Sequence, residues 1–226
     1  MTDLSALDRP IWNALTSVHA GLALAHGAAR RYPREVSPLA AAAEPTAAAF
    51  ADLAAMAQPD EVLGVLSDEA LPPLEHWRIV RDRPIEQMVC EAFVPAATLP
   101  LLELAHSDVA DMTALVALTE PGPFAPGALR MGRYRGLRSE DGRLMATAGE
   151  RMRLSAFSEV SAVCTHPDFR GRGYALALVS ALAAMIVAEG RTPFLHVKGE
   201  NTAKRVYEAL GFRVRRAIHY SVIQRA

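Results

Sequence analysis

Residues 163–175 constrain the fold of this chain more than any other stretch. They run from a β-rich segment through an arginine- and glycine-containing turn into a segment with a strong helical pattern. The first turn of a helix presents free backbone N–H groups and a partial positive charge, and glycine lets a ligand approach the backbone closely. Because Arg170 and Arg172 add fixed positive charge to the same turn, the stretch predicts a site for a phosphate-bearing ligand.

Composition narrows the class of protein. The 226 residues are 51% hydrophobic and 22% charged, which indicates one large or two small packed domains. The chain has 24 basic and 25 acidic residues and a net charge of -1. Because this charge is nearly balanced, we expect neither nucleic acid nor an anionic membrane as a partner. No run approaches the roughly 20 apolar residues of a membrane span, and no signal peptide is evident, so we expect a cytoplasmic protein. Cys90 and Cys164 match no metal or redox spacing, so we expect free thiols and no metal.

The first part of the chain predicts a small α/β unit. Thr46 is placed to cap a helix over 47–56, and apolar runs at 61–66 and 77–94 predict strands. Prolines at 72, 73, 84 and 95 are expected to confine those strands to sheet edges or breaks. The pattern becomes regular after about residue 95, so the sequence predicts two domains, residues 1–95 and residues 96–226.

The second part predicts an α/β fold with a mixed sheet. A strand at 101–104 and a helix from Asp108 precede a loop at 121–132, and Asp141 and Gly142 suit a hairpin between strands 134–137 and 144–148. A strand at 157–165, apolar or small on both faces, belongs in the middle of a sheet covered on both sides. The order then continues with a helix at 173–189 that Gly190 ends, a strand at 194–198, a helix from Asn201 or Thr202 that Gly211 ends, and a strand at 214–223.

Two motifs in this part resemble those of one enzyme superfamily. Residues 170–175 match the pattern Arg/Gln-x-x-Gly-x-Gly/Ala, and residues 201–212 contain Asn-x-x-Lys followed by Tyr-Glu-x-Leu-Gly-Phe. Together with the element order, they resemble the GNAT superfamily of acyl-CoA-dependent N-acyltransferases across about 100–226. The chain is most similar to the bacterial group that has an extra N-terminal domain. Residues 1–95 lie outside the motifs, and one interpretation of them is a reduced GNAT-like half.

The resemblance implies an N-acetyltransferase that moves an acetyl group from acetyl-CoA, a cosubstrate, to a primary amine. The amine would attack the thioester directly in a ternary complex. The backbone near Val163 would stabilise the oxyanion. The positions implied to bind coenzyme A are Val163, Cys164, Thr165, Arg170, Gly171, Arg172, Gly173, Tyr174, Ala175, Asn201 and Lys204.

Two residues are the predicted catalytic groups. Tyr207 suits a general acid for the departing thiolate, because a phenol with a pKa of about 10 stays protonated at neutral pH; the alternative is a tyrosine that only packs its ring. Glu159 suits a general base for the ammonium substrate if partial burial raises its pKa. The alternatives are that Glu159 pairs with an arginine and that His196 or water is the base. His166 is expected to serve loop structure.

Other functions fit the sequence less well. Leu176 occupies the place of the third glycine of a dinucleotide-binding motif, no P-loop sequence occurs, and clusters of zinc ligands are missing from the sequence. A catalytically silent sensor or interaction module that binds acyl-CoA remains an alternative. The acceptor, a small-molecule or peptide amine, is expected to bind beneath the loop at 121–132, which contains Phe124. The oligomeric state stays open, with a homodimer among the alternatives.

Overall fold

A computed structural model describes residues 3–97 and 99–226. This part of the chain contains five helices and eleven strands. The helices are α1 (Pro10–Leu15), α2 (Ala47–Ala55), α3 (Val109–Thr119), α4 (Tyr174–Ala188) and α5 (Lys204–Ala209). The strands are β1 (Leu24–His26), β2 (Ala29–Arg31), β3 (Ala40–Ala42), β4 (Val62–Ser67), β5 (Trp77–Val89), β6 (Leu102–Leu104), β7 (Tyr134–Arg138), β8 (Leu144–Arg153), β9 (Phe157–Thr165), β10 (Thr192–Val197) and β11 (Arg213–Arg225).

Eight of the strands form one mixed sheet in the order β4-β11-β5-β10-β9-β8-β7-β6. Strands β9 and β10 run parallel, and the other neighbouring pairs are antiparallel. A smaller antiparallel sheet joins β1, β2 and β3. The predicted α/β class with a mixed sheet is therefore confirmed. None of the helices in the described residues is long and apolar enough to cross a membrane.

The two parallel strands separate soon after they meet. Thr192 to Phe194 of β10 pair with Phe157 to Glu159 of β9. Beyond this point β10 continues to Val197 and β9 to Thr165, and the described register contains no further pairs between them. The sheet is thus split on the carboxyl side of Glu159, which creates room for a ligand between its two halves.

The sheet crosses the domain boundary that the sequence predicts. Strands β4 and β5 precede residue 95, yet they pair with β11, and β5 also pairs with β10. A boundary at residues 95 and 96 therefore does not divide the sheet. The expectation that prolines keep these strands at edges is wrong for β5, which has partners on both sides over Glu86–Val89. Pro84 is tolerated because it lies where β5 pairs with β11 alone.

Apolar clusters cover both faces of the sheet. On one face, Leu178, Leu182 and Ile186 of α4 pack against buried residues of β5, β8, β9 and β10. On the other face, Leu7 and Ile11 from the N-terminal segment join Val89, Met152, Phe157 and Phe194. Each fully buried side chain of this size contributes about 1.5–3 kcal/mol relative to exposure. The N-terminal segment is therefore part of the packing that holds the split sheet.

Local sequence signals place most helix and turn boundaries. The Thr46 hydroxyl accepts a hydrogen bond from the Ala49 N–H at the start of α2, as predicted, and Gly190 follows α4 with a φ of +75°. Helix α5 begins at Lys204, later than predicted. The reason is that the Asn201 side chain accepts from the Ala203 N–H and holds the preceding residues in a turn.

Candidate active site

A cleft of about 660 Å³ follows the split between β9 and β10. One end is formed by residues 169–176, which include the arginine- and glycine-containing turn. The other end is formed by side chains of β4, β5 and β11 together with Leu39. His196, Arg151 and Tyr207 lie along its walls. The cleft therefore joins the predicted phosphate site to Tyr207 and His196, whereas Glu159 does not line it.

The turn before α4 has the geometry that an anion site requires. Gly171 and Gly173 both have a φ of +76°, a conformation that favours glycine, and a Cβ on either would meet nothing within 4 Å. Helix α4 then begins at Tyr174, with Gly173 as its N-cap, so its first N–H groups lie at the cleft. The Arg172 guanidinium lies over the Phe169 ring, 5.2 Å from the ring centre. The Arg170 Nε donates to the Thr165 carbonyl at 3.4 Å.

Strand β9 carries a bulge beside this turn. Gly149 pairs with Ser161 and Thr147 pairs with Cys164, so β9 has one more residue than β8 between these pairs. Ala162, within the bulge, has a φ of +51°. A bulge leaves its extra residue outside the ladder, so backbone groups of β9 are available to the cleft. Burial raises the pKa of the Cys164 thiol, so the thiol stays neutral. Contacts of Cys164 with a ligand in the cleft are therefore expected from its backbone.

Most residues predicted to bind the cosubstrate lie around the cleft. Its lining contains Val163, Cys164, Thr165, Arg170, Gly171, Arg172, Gly173, Tyr174, Ala175 and Asn201. Lys204 is different: it is not among the lining residues, and its Nζ lies 2.6 Å from Glu86 Oε2 on β5. Lys204 therefore forms an ion pair with Glu86. The sequence motif did not reveal this pair, because Glu86 lies more than a hundred residues earlier in the chain.

Tyr207 lies on α5 and faces the cleft from within the apolar core. Its side chain is only 7% exposed, and its ring meets Phe212 edge to face with the centroids 6.2 Å apart. Burial raises the pKa of the Tyr207 hydroxyl to about 12. The phenol therefore keeps its proton across the physiological range and is able to donate it within the cleft.

Glu159 is an ion-paired carboxylate. It is fully buried, and the Arg151 guanidinium donates two hydrogen bonds to it, at 2.7 and 2.6 Å. Burial by itself would raise the pKa of Glu159, but Arg151 and His196 outweigh burial and lower it to about 2. The expected rise in pKa is therefore wrong, and the alternative, that Glu159 pairs with an arginine, is the arrangement observed.

His196 is held at both ring nitrogens. Its Nδ1 lies 2.7 Å from Glu159 Oε1, and its Nε2 lies 3.2 Å from the amide nitrogen of Gln87. That amide nitrogen also donates to the Leu7 carbonyl, while Gln87 Oε1 accepts from Arg215. Since an amide nitrogen only donates, these contacts assign the proton to Nδ1 of His196 and the lone pair to Nε2. Gln87, which sequence analysis missed, thus fixes the tautomer.

The loop after α3 contributes to the cleft through its first residues. Residues 119–123 line the cleft next to the bulge of β9. Phe124 does not line it and instead packs edge to face against Tyr134, with centroids 6.0 Å apart. His166 accepts a hydrogen bond from the Asp168 N–H and caps a short turn, which confirms its expected part in loop structure.

The end of the cleft farthest from α4 is made of residues that sequence analysis did not single out. They are Leu39, Leu66, Arg83, Ile85 and Tyr220. Four of them come from β4, β5 and β11, whose pairing joins residues more than a hundred positions apart. No local pattern marks such residues as a site. The sequence offered one signal: side chains alternate between the two faces of a strand, so Arg83 and Ile85 share a face of β5.

Known structures resemble this chain over nearly its whole length. A GNAT-family acetyltransferase from Novosphingobium aromaticivorans is 40% identical in sequence, with a TM-score of 0.90, and the match covers 97% of this chain and 98% of that one. A GCN5-related N-acetyltransferase from Kribbella flavida is 18% identical with a TM-score of 0.60, covering 96% and 95% of the two chains. A GCN5-related protein from Streptococcus suis is 14% identical with the same TM-score, covering 96% and 92%.

The two more distant structures support the fold alone. The FR47-like family model matches residues 134–221, a range that holds β7 through most of β11 and both motifs. No curated protein matches the sequence.

Proposed function

The chain belongs to the GNAT family of acetyltransferases, and on this premise we propose that it transfers an acetyl group from acetyl-CoA to a primary amine. The supporting observation is the cleft, which is lined by the turn before α4, by Tyr207 and by His196, the residue that contacts the buried Glu159. An anion site, a proton donor and a proton acceptor are the groups that direct aminolysis of a thioester requires.

Acetyl-CoA supplies the activated acyl group, and the residues present fit it. The first-turn N–H groups of α4 and the charges of Arg170 and Arg172 suit a diphosphate. Open space around Gly171 and Gly173 leaves room for it. We assign the pantetheine arm to the backbone of Val163 and Thr165, and the edge of the cleft near Asn201 to further coenzyme contacts. The bulge of β9 leaves backbone groups outside the strand ladder, which supports an oxyanion site there.

Deprotonation of the amine falls to His196 in this proposal. Its Nε2 carries the lone pair, and Glu159, which stays ionised, holds Nδ1–H and stabilises the positive charge that forms on the ring. Gln87 releases its hydrogen bond to Nε2 when the proton arrives. Glu159 is thereby a positioning residue, and Arg151 keeps it anionic.

In the remaining step one bond forms, one bond breaks and two protons move. The neutral amine nitrogen attacks the thioester carbonyl carbon, a carbon–nitrogen bond forms, and the carbon–sulfur bond breaks. Tyr207 donates its hydroxyl proton to the departing sulfur, and the acetylated nitrogen loses its surplus proton, which restores the Tyr207 phenol. The products are a neutral amide and the free thiol of coenzyme A, and His196 returns the proton it took from the ammonium group to solvent. Since the Tyr207 ring is packed by Phe212, its hydroxyl is held in place without reorganisation.

The direct test is amine-dependent thiol release. We expect purified protein to release thiol from acetyl-CoA only when a suitable primary amine is present, and the amine to gain an acetyl group. Tight binding of coenzyme A without release in the presence of any amine would instead support a sensor. A cytoplasmic location is also part of the proposal, supported by the free, buried thiols of Cys90 and Cys164.

A further inference from the structure

The far end of the cleft contains an arginine that has no charged partner. Arg83 lies on β5 directly opposite Tyr220 on β11, and Tyr220 lies opposite Leu66 on β4. Residues that pair directly across strands point to the same face of a sheet, and all three line the cleft. They are joined there by Leu39 and Ile85. The guanidinium of Arg83 therefore lies in a largely apolar pocket.

The Nε of Arg83 is buried and has no hydrogen-bond partner in the described part of the chain. Four other side chains have such an atom, but each of those four already forms an ion pair within residues 3–97 and 99–226. They are Glu86, Arg133, Arg153 and Arg191. Arg83 differs from them because it forms no ion pair with any described residue. The Arg83 guanidinium lines the cleft and carries a charge that no described residue pairs with, so a ligand in the cleft is placed to supply the counter-charge.

Tyr220 adds a neutral hydrogen-bond donor beside Arg83. Gly64 makes space for it, because a Cβ at Gly64 would lie 2.6 Å from the Tyr220 hydroxyl oxygen. Burial raises the pKa of Tyr220, and the nearby charges of Arg151, Arg83 and Arg81 only oppose that rise. The hydroxyl thus stays protonated in the same cleft wall that carries Arg83. A guanidinium and a hydroxyl on one wall form a suitable set of donors for a carboxylate.

The charge balance of this end favours an anionic group. Arg151 is compensated by Glu159 through two hydrogen bonds, which leaves the charge of Arg83 uncompensated. A second ammonium group on the acceptor would be repelled here, whereas a carboxylate would be attracted to the Arg83 guanidinium. The apolar neighbours Leu39, Leu66 and Ile85 strengthen this preference, because they lower the local dielectric constant.

We infer that the acceptor is an amine that also carries a carboxylate, an amino acid, and that Arg83 and Tyr220 bind this carboxylate. The inference rests on the proposed function, because it assigns the substrate class of the same cleft. Arg83 and Tyr220 bind substrate on the side of His196 opposite the turn before α4. Recognition of the carboxylate places the amine nitrogen between Arg83 and the thioester.

The test compares amino acids with their own carboxamides. A panel of α-, β- and γ-amino acids, each paired with its carboxamide, is supplied with acetyl-CoA, and kcat/KM is measured from thiol release. We expect at least one amino acid to exceed its carboxamide by about tenfold or more, because a site built for a charged group discriminates strongly against an analogue that lacks it. Equal rates for every pair, or a preference for carboxamides, would overturn the inference while leaving acetyl transfer intact.

Two arginine variants assign the discrimination to one residue. In Arg83→Gln we expect the KM of the preferred amino acid to rise about tenfold or more, with the kcat/KM of its carboxamide changed by less than about threefold. Arg78→Gln is the matched control, since Arg78 is exposed on the same strand, does not line the cleft and is not among the charges that act on Tyr220. In this variant we expect the ratio of kcat/KM between the amino acid and its carboxamide to stay as in the wild type. If the ratio of kcat/KM between the amino acid and its carboxamide were unchanged in Arg83→Gln, the inference would also be overturned.

A binding measurement separates this inference from the proposed function. The amino acids and carboxamides are titrated calorimetrically into protein saturated with coenzyme A. Binding of an amino acid that depends on Arg83, without thiol release from acetyl-CoA, would contradict acetyl transfer but support carboxylate recognition. Equal binding of an amino acid and its carboxamide, with or without Arg83, would contradict recognition itself.

Discussion

Arg151 on β8 donates two hydrogen bonds, at 2.7 and 2.6 Å, to Glu159 on β9 at the point where the sheet splits. This pair decides the state of the catalytic centre, because it keeps Glu159 anionic and leaves it to hold His196. A carboxylate with a pKa of about 2 cannot be the group whose protonation limits activity near neutral pH. In the proposed mechanism the role of base therefore falls to His196 rather than Glu159.

The first prediction concerns that division of roles. We expect His196→Gln to lower kcat/KM by about a hundredfold, within the range typical of general bases. Glu159→Gln should lower kcat/KM by only about tenfold, because it keeps the imidazole that accepts the proton. The measurement is steady-state thiol release. A larger loss in Glu159→Gln than in His196→Gln would reverse the assignment.

The second prediction concerns the proton donor. Tyr207→Phe keeps the ring that packs against Phe212 and removes only the hydroxyl, so we expect kcat to fall by about tenfold or more with little change in the affinity for coenzyme A. Tyr134→Phe is the matched control, because Tyr134 is equally buried but does not line the cleft. Full activity in Tyr207→Phe would show that the thiolate leaves without this donor.

The third prediction concerns pH and stability. His19 donates from Nε2 to the Met131 carbonyl at 2.9 Å, and its Nδ1 accepts from the Tyr32 hydroxyl at 2.8 Å. Burial lowers the pKa of His19 from 6.5 to about 4. The unfolded chain therefore binds more protons than the native state between these values, so the free energy of unfolding should fall as the pH drops from 6.5 to 4.

This loss from His19 amounts to about 3 kcal/mol at most and is absent above pH 6.5. Urea denaturation at several pH values measures it, and His19→Gln should show a shallower decline over the same range. The same slope in wild type and variant would mean that His19 is not a source of acid sensitivity.

The local elements could be predicted from the sequence because their signals are local. Strand β9 has the bounds that its apolar pattern predicts, and α4 differs from the predicted helix by one residue at each end. The turn before α4 was identified from Gly171 and Gly173, whose positive φ values explain why glycine is needed there. Tyr207 could be placed at the cleft because α5 carries a recognisable motif.

The pairing of distant strands could not be predicted in the same way. Gln87 meets His196, and Arg83 meets Tyr220, across more than a hundred residues of sequence. The predicted domain boundary at residue 95 assigned β5 to a different domain from β10 and β11, so contacts between these strands were not expected. The sequence left the pKa of Glu159 undecided between a rise through burial and pairing with an arginine, because it does not show which of the many arginines meets it; the structure shows Arg151.

The most direct test of the account is a calorimetric titration of coenzyme A into wild type, Gly173→Ala and Gly190→Ala. These glycines have φ values of +76° and +75° before and after α4, so alanine costs each of them about 1–2 kcal/mol of backbone strain. We predict one coenzyme bound per chain in wild type, binding at least about fivefold weaker in Gly173→Ala, and wild-type affinity in Gly190→Ala. Folded wild-type protein that binds no coenzyme A, or equal affinity in all three proteins, would contradict the account.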